Sequence, residues 1–158
     1  MFILLRQLRQ IRSNTTPAAS RGRGSLAVRH VDAGSCNGCE HELTAAANPY
    51  YDLQQHGLNI VASPRHADVL LVTGPVTTRM ARALQAAYAA MPEPKLVAAL
   101  GDCALGCNVL AHSRELAPPL HALLPVTVRI PGCPPTPVVI AEYLLGALGG
   151  SPVNHSGS

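Results

Sequence analysis

Apolar positions follow two different rhythms along this chain. Residues 1–13 place Phe2, Leu5, Leu8 and Ile11 on one side of a helix of period 3.6, with Arg6, Arg9 and Arg12 offset from them. Such an arm suits an anionic membrane surface or an apolar partner; a frayed helical tail and an Arg-rich transit peptide share its pattern. Residues 13–24 are polar and include Pro17, so they read as a linker. From Ser25 the pattern changes to short apolar runs separated by helix-like segments. Residues 26–31 read as a first strand, 40–47 as a helix ended by Asn48-Pro49, and 58–62 as a second strand.

The run Asp68-Val69-Leu70-Leu71-Val72-Thr73 is nearly continuous in apolar residues, as expected of a strand covered on both faces of a parallel sheet. Thr77 or Thr78 then caps a helix reaching about residue 90, with Met80, Leu84 and Ala87 on its inner side. Residues 95–100 form another buried strand and 126–130 the last. Pro118-Pro119 lies in an irregular stretch between them. A final helix spans 137–148, and Gly149-Gly150 terminates it. Strands alternating with helices predict an α/β fold: a doubly wound parallel sheet with helices on both faces and right-handed crossovers. The expected organisation is an amphipathic basic arm and linker over 1–24, one domain over 25–150 and a disordered tail over 151–158.

Composition adjusts this picture in three respects. A length of 158 residues suits a single core, yet there is no Trp and one Phe, so Ala, Val and Leu must fill it. The formal charge of +3 conceals an asymmetry, because Arg6, Arg9, Arg12, Arg21, Arg23 and Arg29 all precede the first acidic residue, Asp32. The six basic residues that follow face nine acidic ones, leaving the body about −3. Basicity therefore belongs to the arm, aromatics are too sparse to stack bases, and nucleic acid is not an expected partner. No apolar run approaches the roughly 20 residues needed to span a bilayer.

The chemistry resides in five cysteines. An odd number, with no visible secretory signal, argues for metal-ligating thiolates in a reducing compartment rather than a disulfide framework. Cys36 and Cys39 are separated by two residues, a spacing that turns both sulfurs to one side of the backbone. They follow the first expected strand; Cys103 follows the strand at 95–100, and Cys133 follows the last. Ligands in doubly wound sheets bind beyond the carboxyl ends of the strands, so residues far apart in sequence converge there. Four thiolates suit zinc or an iron–sulfur cluster. One CxxC plus single cysteines on separate loops favours the larger cubane, while zinc remains open. Gly101, Gly106 and Gly132 let backbone approach a bulky inorganic core, and Pro131-Gly132-Cys133-Pro134-Pro135 is stiff and would shield it from water.

Cys36-Asn37-Gly38-Cys39-Glu40, Gly101-Asp102-Cys103-Ala104-Leu105-Gly106 and Pro131-Gly132-Cys133-Pro134-Pro135, in that order, resemble the family shared by NiFe hydrogenase small subunits and the 20 kDa subunit of respiratory complex I. The segment from Ser63 to Thr77 is similar to the same family. The resemblance covers about residues 30–148. It implies a flavodoxin-like fold with one 4Fe–4S cluster ligated by Cys36, Cys39, Cys103 and Cys133. It also implies an electron relay beside a NiFe-type large subunit, with a ferredoxin-like iron–sulfur subunit and membrane subunits as further partners. The location implied is peripheral, on the cytoplasmic side of the inner membrane.

The CxxC spacing, where complex I members have adjacent cysteines, places the chain nearer energy-converting hydrogenases of the formate hydrogenlyase type. A complex I-like, quinone-linked electron-transfer module and a zinc-stabilised interaction domain are the alternatives. Cys107 departs from the family, which commonly has glycine there; a buried spare thiol is the expectation, with a substitute ligand or a redox-reactive neighbour as other readings. Glu40 is assigned a possible proton-moving or cluster-tuning role, His30 and His41 are expected to face solvent, and Arg65, His66 and Arg79 are candidates for subunit contacts. No serine–histidine–acid set or phosphate loop is present in the sequence, so the chain is expected to act within an oxidoreductase complex and not to catalyse alone.

Overall fold

The computed structural model describes residues 24–107 and 113–148. The amphipathic arm, most of the linker and the C-terminal tail lie outside the described residues. Five strands form one sheet in the order β2-β1-β3-β4-β5, and every neighbouring pair is parallel. They are β1 (Leu26–Asp32), β2 (Leu58–Ile60), β3 (Val69–Thr73), β4 (Leu96–Leu100) and β5 (Val128–Ile130). Between and after them run α1 (Gly38–Ala46), α2 (Thr78–Ala90), α3 (Asp102–Leu105), α4 (Leu120–Leu123) and α5 (Pro137–Leu148). This is the flavodoxin-like order, in which the chain leaves β1 for one edge and returns to β3 on the other side, so that a crevice opens at the β1/β3 reversal.

The side-chain pattern explains the two layers. All five residues of β3 are buried, because alternate side chains enter cores on opposite faces. Val69 and Leu71 join Val28, Ala98, Leu100 and Ile130 under α1 and α5, which contribute Leu43, Ile140 and Leu144. Leu70 and Val72 join Val97 and Ala99 under α2 and α4, which contribute Leu84 and Leu120. Met80 and Ala87 pack at the margin of that second core, as their spacing predicts. The Thr77 hydroxyl accepts the N–H of Met80 at 3.3 Å and supplies the cap of α2.

Several boundaries differ from the sequence-based expectation. β2 ends at Ile60; only the N–H of Val61 makes one further bond, to the Val28 carbonyl at 2.9 Å, before Ser63-Pro64 turns the chain. β5 begins at Val128 because Thr127 meets β4 partly through its side chain. The Thr127 hydroxyl donates to the Val97 carbonyl at 3.1 Å and accepts the Val97 N–H at 3.3 Å. α1 starts at Gly38, inside the CxxC stretch, and α3 and α4 are four-residue helices that the expected element list lacks.

A candidate iron–sulfur site at the carboxyl edge of the sheet

The loop after β1 is folded by its own side chains. The Asp32 carboxylate accepts the N–H groups of Gly34 at 2.8 Å and Ser35 at 2.7 Å, and the Ser35 hydroxyl accepts the N–H of Asn37 at 3.1 Å. Partial burial alone would raise the Asp32 pKa, but the amides of Ser35 and Gly34 outweigh it and hold the carboxyl below its usual 3.8. Asn37 adopts a left-handed conformation, φ 67°, and directs the chain into α1. Cys36 thus sits in the turn and Cys39 on the first turn of the helix.

The loops after β4 and β5 come to the same place. The N–H of Gly101 donates to the Ile130 carbonyl at 2.8 Å, and that of Asp102 to the Gly132 carbonyl at 2.9 Å. Gly101 has φ +87° and lies against the Cys39 sulfur: a Cβ there would stand 2.6 Å from Sγ. Gly132 is equally constrained, since a Cβ would meet Pro135 Cα at 2.7 Å. Pro134 approaches the first loop, 3.8 Å from the position a Cβ on Gly38 would take.

Cys36, Cys39, Cys103 and Cys133 converge electrostatically. Burial, the charge of Glu40 and the neighbouring thiols of Cys103, Cys36 and Cys133 push the Cys39 thiol up to about 12. Burial, then Cys133, Cys36 and Asp102, likewise raise Cys103. Free thiolates so placed repel one another, whereas a cationic centre would relieve both the crowding and the desolvation. The donor set and the glycine-lined approach to Cys39 therefore fit a thiolate-bound metal centre. Among the described residues, no group of three or more His, Cys, Asp or Glu side chains is arranged to hold a single metal ion.

Two sequence expectations need correction. Cys107 is exposed, not buried. α3 ends at Gly106, and the Cys107 N–H returns to the Asp102 carbonyl at 2.8 Å, which leaves the thiol outside the core. His30 does not face solvent: its side chain is 22% exposed, with Nε2 2.9 Å from the Thr73 hydroxyl and 3.5 Å from Glu40 Oε1. The Thr73 hydroxyl in turn donates to Glu40 Oε1, so Nε2 of His30 must carry the proton it shares with Thr73. Burial lowers the His30 pKa from 6.5 despite the opposing attraction of Glu40 and Asp32. Glu40 Oε2 is buried and meets no hydrogen-bond partner among the described residues.

His41 is exposed as expected. Arg65, His66 and Arg79 are exposed too; the first two precede β3, at the opposite end of the sheet from the cysteines. Thr73 and Asp102 were not singled out by sequence; a lone polar residue closing an apolar strand was the available signal for the first.

Residues 36–147 match the family model described as the 20 kDa subunit of NADH ubiquinone oxidoreductase. The chain belongs to this family, which includes NiFe hydrogenase small subunits. It is 46% identical over 121 residues to the probable membrane-bound hydrogenase subunit mbhJ of Pyrococcus furiosus, covering 77% of this chain and 72% of that protein. It is 39% identical to formate hydrogenlyase subunit 7 of Escherichia coli, covering 79% of this chain but only 49% of that relative. Among solved structures, a chain of the membrane-bound sulfane sulfur reductase, an archaeal respiratory membrane complex, matches with TM-score 0.68 and 28% identity, over 82% of this chain and 73% of that one. The chain is thus a member of a family of oxidoreductase-complex subunits. No described helix is long and apolar enough to cross a membrane.

Proposed function

We propose that this chain is the electron-transfer subunit of a membrane-associated hydrogenase complex, holding one 4Fe–4S cluster on Cys36, Cys39, Cys103 and Cys133 beside a NiFe-type large subunit. The observation that supports it best is that these four cysteines all follow the carboxyl ends of β1, β4 and β5, on three loops that meet where Asp102 joins Gly132 and Gly101 lies against the Cys39 sulfur. Such a cluster, when bound, supplies one-electron transfer at a potential set by its surroundings.

The chain's own residues shape those surroundings. The Asp32 turn orients Cys36, and Gly101 leaves room for the Cys39 sulfur. Cys36 and Cys133 lie at the exposed rim of the group, where a large subunit would cover them. Glu40, beside Cys39 and tied to Thr73, is positioned to tune the site or hold a proton at Oε2. A ferredoxin-like subunit and membrane subunits complete the proposed complex, which holds this chain peripherally on the cytoplasmic side of the inner membrane. Residues 1–24 would serve as its docking arm.

The test is anaerobic copurification with metal and sulfide analysis. The reading expects about four irons and four labile sulfides per chain beyond those held by the ferredoxin-like and NiFe subunits, with nickel in the associated large subunit. Stoichiometric zinc without labile sulfide would instead support a zinc-stabilised interaction domain. The family description also supports a second reading, a complex I-like module passing electrons to quinone. Iron without nickel, accompanied by quinone reduction, would favour that one.

A further inference from the structure

The ladder between β4 and β5 ends at the pair Leu100↔Ile130. Beyond it the β5 side continues as Pro131-Gly132-Cys133-Pro134-Pro135, in which three prolines lack an N–H and cannot extend a sheet. Nevertheless both backbone polar groups of Gly132 are satisfied, and both by one residue. The Asp102 N–H donates to the Gly132 carbonyl at 2.9 Å, while Asp102 Oδ1 accepts the Gly132 N–H at 2.8 Å. The Asp102 carbonyl also accepts the Cys107 N–H at 2.8 Å, closing α3 on itself. Asp102 immediately precedes Cys103, and Gly132 immediately precedes Cys133.

We propose that Asp102 is a positioning residue: its side chain and main-chain amide grip Gly132 and so fix the span between the Cys103 and Cys133 thiols. A carboxylate serves better than a neutral acceptor, because a charge-assisted bond to a backbone amide is the stronger one. The same charge acts on the Cys103 thiol. As far as it concerns a bound cluster, the proposal rests on the function proposed above; the grip on Gly132 does not.

The test uses D102N, which keeps an oxygen acceptor without the charge, and D102A, which removes both. Hydrogen exchange at the Gly132 amide, read in the full chain as purified, reports the grip independently of metal. D102A is expected to accelerate it roughly 10- to 100-fold and D102N only several-fold, following the strengths of charged and neutral hydrogen bonds. In the intact complex, D102A is expected to lose most of its iron. D102N should keep its iron and show a higher midpoint potential, since a negative charge beside a ligand is gone.

Wild-type exchange at Gly132 in D102A, or in D102N together with an unchanged potential should D102A not accumulate, overturns the proposal. If the wild-type chain itself holds no iron, the cluster reading fails, and the exchange result alone decides whether Asp102 grips Gly132.

Discussion

Substituting Gly101 by alanine separates the fold from the site. Gly101 lies at φ 87°, ψ 159°, a region that residues with a Cβ essentially avoid, at a cost of order 1–3 kcal/mol. The added methyl would also stand 2.6 Å from Cys39 Sγ, so the sulfur must retreat by about 0.8 Å to reach ordinary contact near 3.4 Å. Overpacking of this kind costs a further ~1–3 kcal/mol. Gly101→Ala should therefore destabilise the chain by roughly 2–6 kcal/mol, a Tm lowered on the order of 10 °C, and displace one of four converging thiols. Iron per chain should fall several-fold even at temperatures where circular dichroism shows the fold intact. Gly106→Ala is the control. Gly106 is also left-handed, at φ +82°, but a Cβ there meets nothing nearer than Pro119 Cβ at 3.8 Å. It should lose only ~1–2 kcal/mol of backbone preference and keep its iron. Equal iron in both variants and wild type would refute the steric argument, and equal loss in both would mean that backbone strain, not contact with Cys39, is responsible.

Other residues give independent checks. Thr73→Val preserves shape but removes the hydroxyl joining His30 to Glu40, and should cost about 1–3 kcal/mol in chemical denaturation; a change within error would mean the network contributes nothing. The lowered pKa of His30 means that the unfolded chain binds the proton more readily. The His30 contribution is therefore complete above pH 6.5 and is lost as pH falls from there through the lower folded value. His30→Gln should flatten that part of the stability profile, and an unaltered slope would contradict the assignment. Asp32 behaves in the same direction at lower pH, its contribution being present above 3.8 and lost as pH falls through its depressed folded value. Cys107→Ser should leave iron content at the wild-type level while Cys103→Ser abolishes cluster assembly; the reverse pattern would transfer the ligand role to Cys107.

The gross architecture is legible because β3 and β4 are continuous apolar runs of five residues, too short for a buried helix and typical of strands covered on both faces. With β1 and β5 added to those strands, the cysteines fall just past the carboxyl ends of β1, β4 and β5. α3 and α4 were not legible: four residues are too few to display a helical period. Pro119 at the start of α4 was the one available hint. The link among His30, Thr73 and Glu40 joins residues more than thirty positions apart. It depends on the register that sets Asp32 opposite Thr73, which no local pattern encodes. Cys107 is expected to be buried because it stands where the family commonly has glycine, whereas the turn at Gly106 carries it outward.

The order of strands also governs timing. Cys36 and Cys39 leave the ribosome with the first strand, but Cys133 emerges only after the last, and β5 is an edge strand of three residues. A growing chain can therefore present two or three of these thiols before the fourth has emerged. Long-range parallel pairing forms slowly, so a four-thiol socket exists only once β5 has docked. The four thiols thus come together last, when the three-residue edge strand closes the sheet.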